Sequence, residues 1–293
     1  MADHGAAWTK TQTKSLYDQL INGIRFLDIR CRCIDNSFAI HHGSVFLDKW
    51  FGSDVRDVVY KFLSEYPSEF VIMSVKEEYE RDGCWKGFLN VFLSYIESSK
   101  SRWFLENRIP TIGEVRGKIV LFSRFDTKGK YGIGNDWPVN VETYRNTRND
   151  GYELVISDYF KLYTFWLKWK YRDCMKKMKQ SHFADRSSKP KWYITFASGS
   201  THASPYTIAR WSGTGNGVVE YIYEDLQQNV FNPSCQGKGT CFGEKRTCSL
   251  GVLVMDYPFN DDDRSPVKYL WALNFPIYIN DEGTCYFSIR SYM

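Results

Sequence analysis

Charged and imidazole side chains stand at the ends of apolar runs throughout this 293-residue sequence. An imidazole titrates near neutral pH and a guanidinium can donate hydrogen bonds to an anion, so this set could perform acid–base chemistry on a charged substrate. Any one of these side chains could instead form a structural salt bridge at the end of its strand. A buried strand has no structural need for them, however, and their recurrence favours an active site. The residues are Asp28, Arg30, His42, Lys76, Glu78, Arg124, Asp158 and Asp256.

The runs that carry these residues are predicted to be β-strands, because they are short and rich in β-branched and aromatic residues. Amphipathic helical patterns lie between several of them, as in KSLYDQLING, SDVRDVVYKFLSEY and GFLNVFLSYIESS. This alternation predicts parallel strands joined by helices, in a closed or nearly closed β/α barrel. In such a barrel the strand ends meet at one face, where active sites are built. The predicted strands are GIRFLDIRCRC, FAIHHG, FVIMSVKEE, KIVLFSRF, LVISDYF, WYITFAS and GVLVMDY.

The composition indicates one globular domain over residues 1–293, since no low-complexity or Pro/Gly-rich linker interrupts it. The protein is expected to be a monomer. The net charge is +4 with basic and acidic residues interleaved, which argues against nucleic-acid binding but suits a weak preference for anionic lipid surfaces. No apolar stretch approaches the roughly 20 residues of a transmembrane helix. The opening MADHGAAWTK lacks the hydrophobic core of a secretion signal.

The eight cysteines predict disulfides rather than a zinc site, because no pair of CxxC knuckles and no His-x-x-x-His is present. The alternative is a cytosolic protein rich in free thiols, in which Cys31, Cys33 and Cys174 would be small buried apolar residues. Four cysteines lie in the last third of the chain, namely Cys235, Cys241, Cys248 and Cys285.

The segment YFKLYTFWLKWKYRDCMKKMKQ mixes bulky aromatic residues with lysines. It could be an interfacial membrane-binding helix. The interpretation we favour is a helix that packs on the outside of the barrel through Leu162, Trp166 and Trp169, which share one helical face, with the lysines in solvent.

Three motifs occur in a specific order and spacing: GIRFLDIRCRC, then HHG, then PSEFVIMSVKEEYE. They resemble the X domain of phosphatidylinositol-specific phospholipase C, with its Gly-[IV]-Arg-x-x-Asp-[IL]-Arg strand, its His-Gly, and its Pro-x-Glu before the next strand. TQTKSLYDQLING precedes them and GKIVLFSRF, SDYF and VLVMDY follow, so the resemblance covers nearly the whole chain. It implies an α/β fold, a distorted (β/α)8-type TIM barrel.

The resemblance also implies an activity, cleavage of phosphatidylinositol, with glycosylated inositol anchors as a further candidate substrate. In this family the inositol 2-hydroxyl attacks the adjacent phosphate, which gives diacylglycerol and a cyclic inositol phosphate. The reaction needs a base for the hydroxyl, an acid for the departing glycerol oxygen, and positive charge beside the phosphorane. The expected partner is therefore an inositol phospholipid at a membrane surface.

Three residues match the family's catalytic positions. His42 matches the general acid, and its neighbour His41 is expected to point to the opposite face because strand side chains alternate. Arg30 stands where calcium-dependent members carry a metal-binding carboxylate, which implies the metal-independent, bacterial-like branch, with no cofactor. Asp28, on the same face, is expected to hold Arg30 in position.

Inositol recognition calls for charged donors and acceptors, because the ring is covered with hydroxyl groups. Lys76, Arg124 and Asp158 match the family's inositol-contacting positions, and Glu78 is expected to orient Lys76. Where bacterial relatives place a tyrosine that stacks on the ring, this sequence has Phe160. Tyr159 lies beside it.

Asp256 matches the carboxylate that orients the family's first catalytic histidine. That histidine belongs to a Thr-His-Asp/Asn-Ser motif, which the 293 residues do not contain. We therefore expect an N-terminal truncation that removes the catalytic base, the first barrel strand and a signal peptide. A secreted protein is expected, with a cytoplasmic location as the alternative. His4 is a poor substitute base because it lies past the expected strand, on a flexible end.

Three functions remain open on the sequence alone. The favoured one is a metal-free phosphodiesterase that acts on phosphatidylinositol. The second is a catalytically impaired relative that keeps the pocket and binds inositol-phosphate head groups. The third is another barrel phosphodiesterase, such as a glycerophosphodiesterase, but the His-Arg-Gly start with paired metal-binding glutamates is absent from the sequence.

Overall fold

A computed structural model describes residues 8–134, 136–146, 151–185, 189–201, 203–210, 215–230, 249–259, 264–273, 277–279 and 285–287. The strands in chain order are β1 (Phe26–Ile34), β2 (Ser37–His42), β3 (Val45–Trp50), β4 (Val71–Glu77), β5 (Trp103–Phe104), β6 (Ile119–Arg124), β7 (Ile133–Gly134), β8 (Val141–Asn146), β9 (Glu153–Asp158), β10 (Lys161–Leu162), β11 (Lys191–Phe196), β12 (Ser200–Thr201), β13 (Val252–Val254), β14 (Ile277–Ile279) and β15 (Cys285–Phe287). The helices are α1 (Leu16–Ile21), α2 (Asp57–Glu65), α3 (Phe88–Ile96), α4 (Ile112–Val115), α5 (Leu167–His182), α6 (Pro205–Arg210), α7 (Val218–Asp225) and α8 (Val267–Ala272). Short 3-10 or π-helical segments cover 51–56, 97–102, 164–166 and 226–230.

Two curved sheets form the wall of the barrel. The first has the order β3-β2-β1-β4-β6-β5, with β7 also paired to β6, and the second has the order β13-β11-β9-β8. Strands β1, β4 and β6 pair in parallel, as do β9, β11 and β13. Every strand predicted from the sequence is present, and helices α2, α3 and α5 follow strands as the alternation predicted.

One predicted strand departs from the parallel pattern. Strand β2 pairs antiparallel with β1, through a turn formed by Asp35 and Asn36. Their φ angles of 46° and 55° are the left-handed values of a type I′ hairpin turn. Two residues leave no room for a helical crossover. His42 therefore reaches the end of the barrel on a hairpin and not on a parallel barrel strand.

Alternation along β1 separates the barrel interior from the outer layer. Leu27, Ile29, Cys31 and Cys33 are buried in the outer cluster beneath α2 and α3, and the residues between them face the other way. A second outer cluster lies beneath α5 and α7. The inner cluster draws on both sheets, so their inner faces pack on each other; it includes Ile72, Phe122, Leu154, Ile156, Ile194 and Phe196.

Helix α5 packs differently from the sequence prediction. Leu162 is buried, but Trp166 and Trp169 are 37% and 42% exposed. Leu162 belongs to strand β10, and the helix begins only at Leu167. The helical face predicted from Leu162 was therefore wrong. The buried side of the helix consists of Leu167, Lys170, Cys174, Met175, Lys177, Met178 and Ser181.

The prediction of disulfides is confirmed for one pair. Cys33, near the end of β1, is bonded to Cys84 in the loop after β4. Cys31 and Cys174 are buried free thiols. The C-terminal cysteines lie outside the described residues, except for the backbone of Cys285 in β15.

No helix within the described ranges has the length and apolar character to cross a membrane.

Candidate active site

The carboxyl ends of the parallel strands bring the predicted charged residues to one end of the barrel. Arg30 on β1 is paired with Lys76 on β4, and Lys76 is paired with Arg124 on β6. Residues paired across parallel strands project from the same face of the sheet, so these three cations form a row. Asp158 ends β9, and Asp256 follows β13.

Arg30 is held by two carboxylates. Its Nε and Nη2 donate to Oδ2 of Asp28 at 3.2 and 3.3 Å, and its Nη1 donates to Oε1 of Glu78 at 3.4 Å. Burial alone would lower the pKa of Arg30, but Asp28 and Glu78 outweigh it and raise the pKa. The guanidinium therefore stays charged and is fixed in orientation, as the sequence analysis expected of Asp28.

Glu78 connects the cation row to the His42 turn. Its Oε2 accepts from Nζ of Lys76 at 2.9 Å, and its Oε1 accepts from the backbone N–H of Gly43 at 3.1 Å. Burial would raise the pKa of Glu78, but Arg30 and Lys76 lower it below its ordinary value. One ionised carboxylate thus orients Lys76, Arg30 and the turn that follows His42.

Arg124 is a buried cation with unused hydrogen-bonding capacity. It is 7% exposed, and its guanidinium lies 3.6 Å from the centroid of the Trp137 ring. Within the described residues its Nε and Nη1 have no hydrogen-bond partner, and Nη1 is 3.5 Å from Oδ1 of Asp28. Burial lowers its pKa. Buried donors of this kind are normally satisfied, so these two nitrogens are suited to an incoming acceptor.

Asp158 is fixed by the same tryptophan. Its Oδ2 accepts from the indole Nε1 of Trp137 at 2.8 Å. Burial raises the pKa of Asp158, which the indole donor and Arg124 only partly offset. Asn140 fixes the backbone that follows Asp158. Its Oδ1 accepts from the backbone N–H groups of Phe160 and Lys161 at 2.9 and 2.7 Å. Phe160 is thereby held beside Asp158.

The two adjacent histidines lie in different surroundings. His42 is partly exposed, and its Nδ1 lies 3.2 Å from the carbonyl oxygen of Thr9. His41 is 3% exposed and packs on the ring of Phe46, and burial lowers its pKa. The pairing of β2 with β3 shifts register between Ala39 and His41, so strict alternation does not hold at this point.

Asp256 lies close enough to Arg30 and Asp28 for their charges to affect its pKa. Burial raises the pKa of Asp256 to about 7, although Arg30, Lys170 and the backbone N–H of Gly199 favour its ionised form. Among the described residues no hydrogen bond or ion pair between a histidine ring and this carboxylate is seen, and His4 and His202 lie outside the described residues.

The sequence analysis missed four residues whose hydrogen bonds support the site. Ser74 donates to Oδ1 of Asp28 at 3.1 Å, and its position two residues before Lys76 on the same strand could have revealed it. Trp137 and Asn140 lie between β7 and β8, where no periodic pattern marks them. Lys170 was expected in solvent but is fully buried, and its Nζ donates to the carbonyl oxygen of Tyr159 at 2.6 Å.

The row of three cations suits an anionic group such as a phosphate. Among the residues that the structure describes, no group of three or more His, Cys, Asp and Glu side chains could hold a metal ion. Asp28 illustrates why: burial would raise its pKa, but Arg30 and Arg124 lower it, so its charge is already compensated.

Comparison with known proteins places these features in a family context. The model of the family "Phosphatidylinositol-specific phospholipase C, X domain" matches residues 4–125. The chain is similar to the 1-phosphatidylinositol phosphodiesterase of Staphylococcus aureus strain Newman, with 33% identity over 264 residues, or 86% of this chain and 77% of that protein. It is 27% identical over 268 residues to the 1-phosphatidylinositol phosphodiesterase of Listeria monocytogenes, which covers 88% of this chain and 72% of the relative.

Solved structures of similar proteins share the fold. A structure of the phosphatidylinositol-specific phospholipase C of Staphylococcus aureus superimposes with a TM-score of 0.74 at 25% identity, over 91% of this chain and 85% of that one. The Listeria monocytogenes structure gives a TM-score of 0.64 at 24% identity, over 90% and 84%. The predicted fold class, a distorted TIM-type barrel, is confirmed.

Proposed function

Because this chain belongs to the phosphatidylinositol-specific phospholipase C family, we propose that it cleaves the phosphodiester of phosphatidylinositol by acid–base catalysis without a metal ion. The observation that carries the proposal is the row formed by Arg30, Lys76 and Arg124, in which two buried nitrogens of Arg124 make no hydrogen bond to any described residue. A phosphorylated inositol offers the acceptors that such donors require.

The reaction needs a base and an acid, and His42 and Asp256 are assigned to separate steps. The expected base is the family's first histidine, and no described residue is assigned to that role. This base removes the proton of the inositol 2-hydroxyl, whose oxygen bonds to phosphorus as the bond from phosphorus to the glycerol oxygen breaks. His42 gives a proton to that glycerol oxygen, so diacylglycerol leaves and a cyclic inositol phosphate remains. A protonated His42 ring would donate through Nδ1 to Thr9 and retain Nε2–H for this transfer. Asp256 is assigned to orient the base, a role that suits a carboxylate beside an imidazole.

Arg30 takes the place of a metal cation. Its charge is fixed by Asp28 and Glu78, so it needs no reorganisation as negative charge develops on the phosphorane. Lys76, Arg124 and Asp158 are assigned to the inositol hydroxyls, with Phe160 and Tyr159 forming the apolar side of the pocket.

A test of the head-group pocket compares two arginines. Arg124→Ala should weaken the affinity for soluble inositol phosphate by at least about tenfold, because a buried charge-assisted contact is worth about 1.5–3 kcal/mol. Arg108→Ala is the matched control, since Arg108 pairs with Glu106 and Glu114 at the surface. Titration calorimetry measures both, and unchanged affinity in Arg124→Ala would remove the main support for the pocket.

A second candidate is a relative that binds inositol-phosphate head groups without turnover. It is favoured by one observation, the lack of any hydrogen bond or ion pair from a histidine to Asp256 among the described residues. Head-group binding without release of diacylglycerol would select this candidate.

We further propose that the protein acts as a secreted monomer at a membrane surface. The Cys33–Cys84 bond supports an oxidising compartment, since disulfides rarely persist in the cytosol.

A further inference from the structure

Lys170 is a cation buried in the outer layer of the barrel, on the side of α5 that faces the sheets. It is fully buried, as are Leu167 and Cys174 on the same side of the helix. Its Nζ donates to the carbonyl oxygen of Tyr159 at 2.6 Å. Burying an ammonium group costs free energy unless its charge is compensated. The groups that surround Lys170 therefore indicate what a lysine does at this position.

Helix α5 binds the chain on both sides of Asp158. Oγ of Ser157 donates to Oδ2 of Asp173 at 3.2 Å, and the carbonyl oxygen of Tyr159 accepts from Lys170. Side chains alternate along a strand, so Asp158 points away from the helix. The carboxylate assigned to the inositol hydroxyls is thus placed from the opposite side of its strand.

The end of β9 is also connected to the ends of β11 and β13. The carbonyl oxygen of Phe160 accepts from the backbone N–H of Ser200 at 2.9 Å. The neighbouring Gly199 directs its backbone N–H to Asp256, which follows β13. Because Lys170 holds the residue before Phe160, it fixes one end of this connection between two carboxylates of the site.

The Lys170 ammonium also interacts with these carboxylates through its charge. Burial lowers the pKa of Lys170, and four neighbouring groups oppose this shift: Cys174, Asp158, Asp173 and Asp256. Two of the four, Asp158 and Asp256, belong to the candidate active site. Lys170 is therefore within electrostatic range of both, although it extends from a helix of the outer layer.

Asp256 responds to Lys170 in return. Burial raises the pKa of Asp256 to about 7, Arg30, Lys170 and the backbone N–H of Gly199 favour its ionised form, and the Asp28 carboxylate opposes that form. A carboxylate stabilises a protonated imidazole only when it is ionised itself. Loss of the Lys170 charge would therefore restrict turnover to higher pH.

We propose that Lys170 is a positioning residue for the reaction: its ammonium fixes the end of β9 that presents Asp158 and supplies positive charge that balances Asp256. It acts through these two carboxylates from the outer side of the barrel wall. The proposal rests on the proposed function, because the roles of Asp158 and Asp256 come from it. The alternative is a structural lysine that only satisfies the carbonyl oxygen of Tyr159.

Lys177 provides a matched control on the same helix. It is also buried, its Nζ donates to Oγ1 of Thr143, and it lies 4.0 Å from Oδ1 of Asp173. It is seven residues further along α5, or about 10 Å along the helix axis from Lys170. Lys177→Met therefore removes a buried cation and its hydrogen bond from the same helix face without touching the end of β9.

The test measures turnover of phosphatidylinositol as a function of pH, and affinity for soluble inositol phosphate by titration calorimetry. In Lys170→Met the acid limb of turnover should move up by about one pH unit, because ionised Asp256 loses a favourable cation. Affinity should fall about fivefold, the factor that corresponds to one hydrogen bond, because the backbone at Tyr159 is released. Lys170→Gln keeps an amide donor, so it should show the same pH shift with a smaller loss of affinity. Lys177→Met should match the wild type in both measurements.

An unchanged pH profile in Lys170→Met and Lys170→Gln, or an equal shift in Lys177→Met, would overturn the proposal and leave Lys170 a structural role. If Lys170→Met does not fold, the pH profile of Lys170→Gln decides in the same way.

A wild-type protein without turnover would contradict the proposed function, and urea unfolding would then decide the role of Lys170. Without the Lys170 charge the folded-state pKa of Asp256 rises further, so stability should go on falling with pH to higher pH in Lys170→Gln than in the wild type or Lys177→Met. Adding Asp256→Asn should abolish this difference. A difference that persists in the Asp256→Asn background, or no difference at all, would overturn the proposal.

Discussion

Arg30 and Arg124 show how residues of one type acquire different functions through their contacts. Arg30 is bound by Asp28 and Glu78 and acts as a fixed charge. Arg124 rests on Trp137 with two nitrogens that make no hydrogen bond among the described residues, so it is ready to bind an acceptor. Both lie on predicted strand ends, and the family resemblance gave them separate expected roles, but the sequence could not show the contacts that distinguish them.

At the same scale, His42→Ala should reduce turnover of phosphatidylinositol by at least about a hundredfold, because the departing glycerol oxygen loses its acid. The fold should be retained, since His42 is partly exposed at a hairpin end. His182→Ala, at the far end of α5, is the control and should keep the wild-type rate. A His42→Ala rate within a few-fold of wild type would assign His42 a structural role.

Asp256 should make stability depend on pH. Its folded-state pKa of about 7 is above the ordinary value of 3.8, so the folded protein holds a proton that the unfolded chain loses between about pH 4 and 7. The free energy of unfolding contributed by this group therefore falls as pH rises through that window, by at most about 1.4 kcal/mol per pH unit. Asp256→Asn cannot titrate, so urea unfolding of this variant should show a shallower pH dependence. Identical slopes in both proteins would contradict the assignment.

At the scale of elements, the Cys33–Cys84 bond stabilises the loop that begins at Glu78. It closes 51 residues, for which loop-closure entropy predicts a contribution of about 4 kcal/mol. Replacing both cysteines by serine should lower the free energy of unfolding by about 2–4 kcal/mol. Turnover should also fall, because the loop that begins at Glu78 is no longer anchored to β1. A thiol reductant should destabilise the wild type by about 2–4 kcal/mol more than it destabilises the double variant. Equal stability with and without the bond would contradict this account.

Much of the architecture could be predicted from the sequence because strand patterns are local. The β-branched runs marked β1, β2, β4, β6, β9, β11 and β13 but not β3 or β8, and their charged ends marked the candidate site. The direction of β2 was missed because the Asp35–Asn36 turn was not interpreted as a hairpin signal. The packing of α5 was missed because Leu162 lies in β10, outside the helix. Trp137 was missed because it lies between strands, where only the tertiary fold brings it to Asp158.

At the scale of the whole molecule, one end of the barrel combines two kinds of surface. The interior of the mouth is charged, with Arg30, Lys76 and Arg124 in a row, whereas the segments that follow β4 and β9 carry the exposed aromatic residues Trp85 and Phe165. This arrangement suits a substrate whose head group is polar and whose acyl chains stay in a membrane. We propose that the fixed cations and the buried carboxylate of Asp158 select an inositol phosphate.

The most direct test of the account follows phosphatidylinositol by phosphorus NMR after the full-length protein is added, with a chelator in one sample and calcium in the other. The account predicts a cyclic inositol phosphate signal that appears at the same rate in both samples, because Arg30 supplies the charge that a metal would otherwise supply. A signal that appears only with calcium, or no cleavage in either sample, would contradict it.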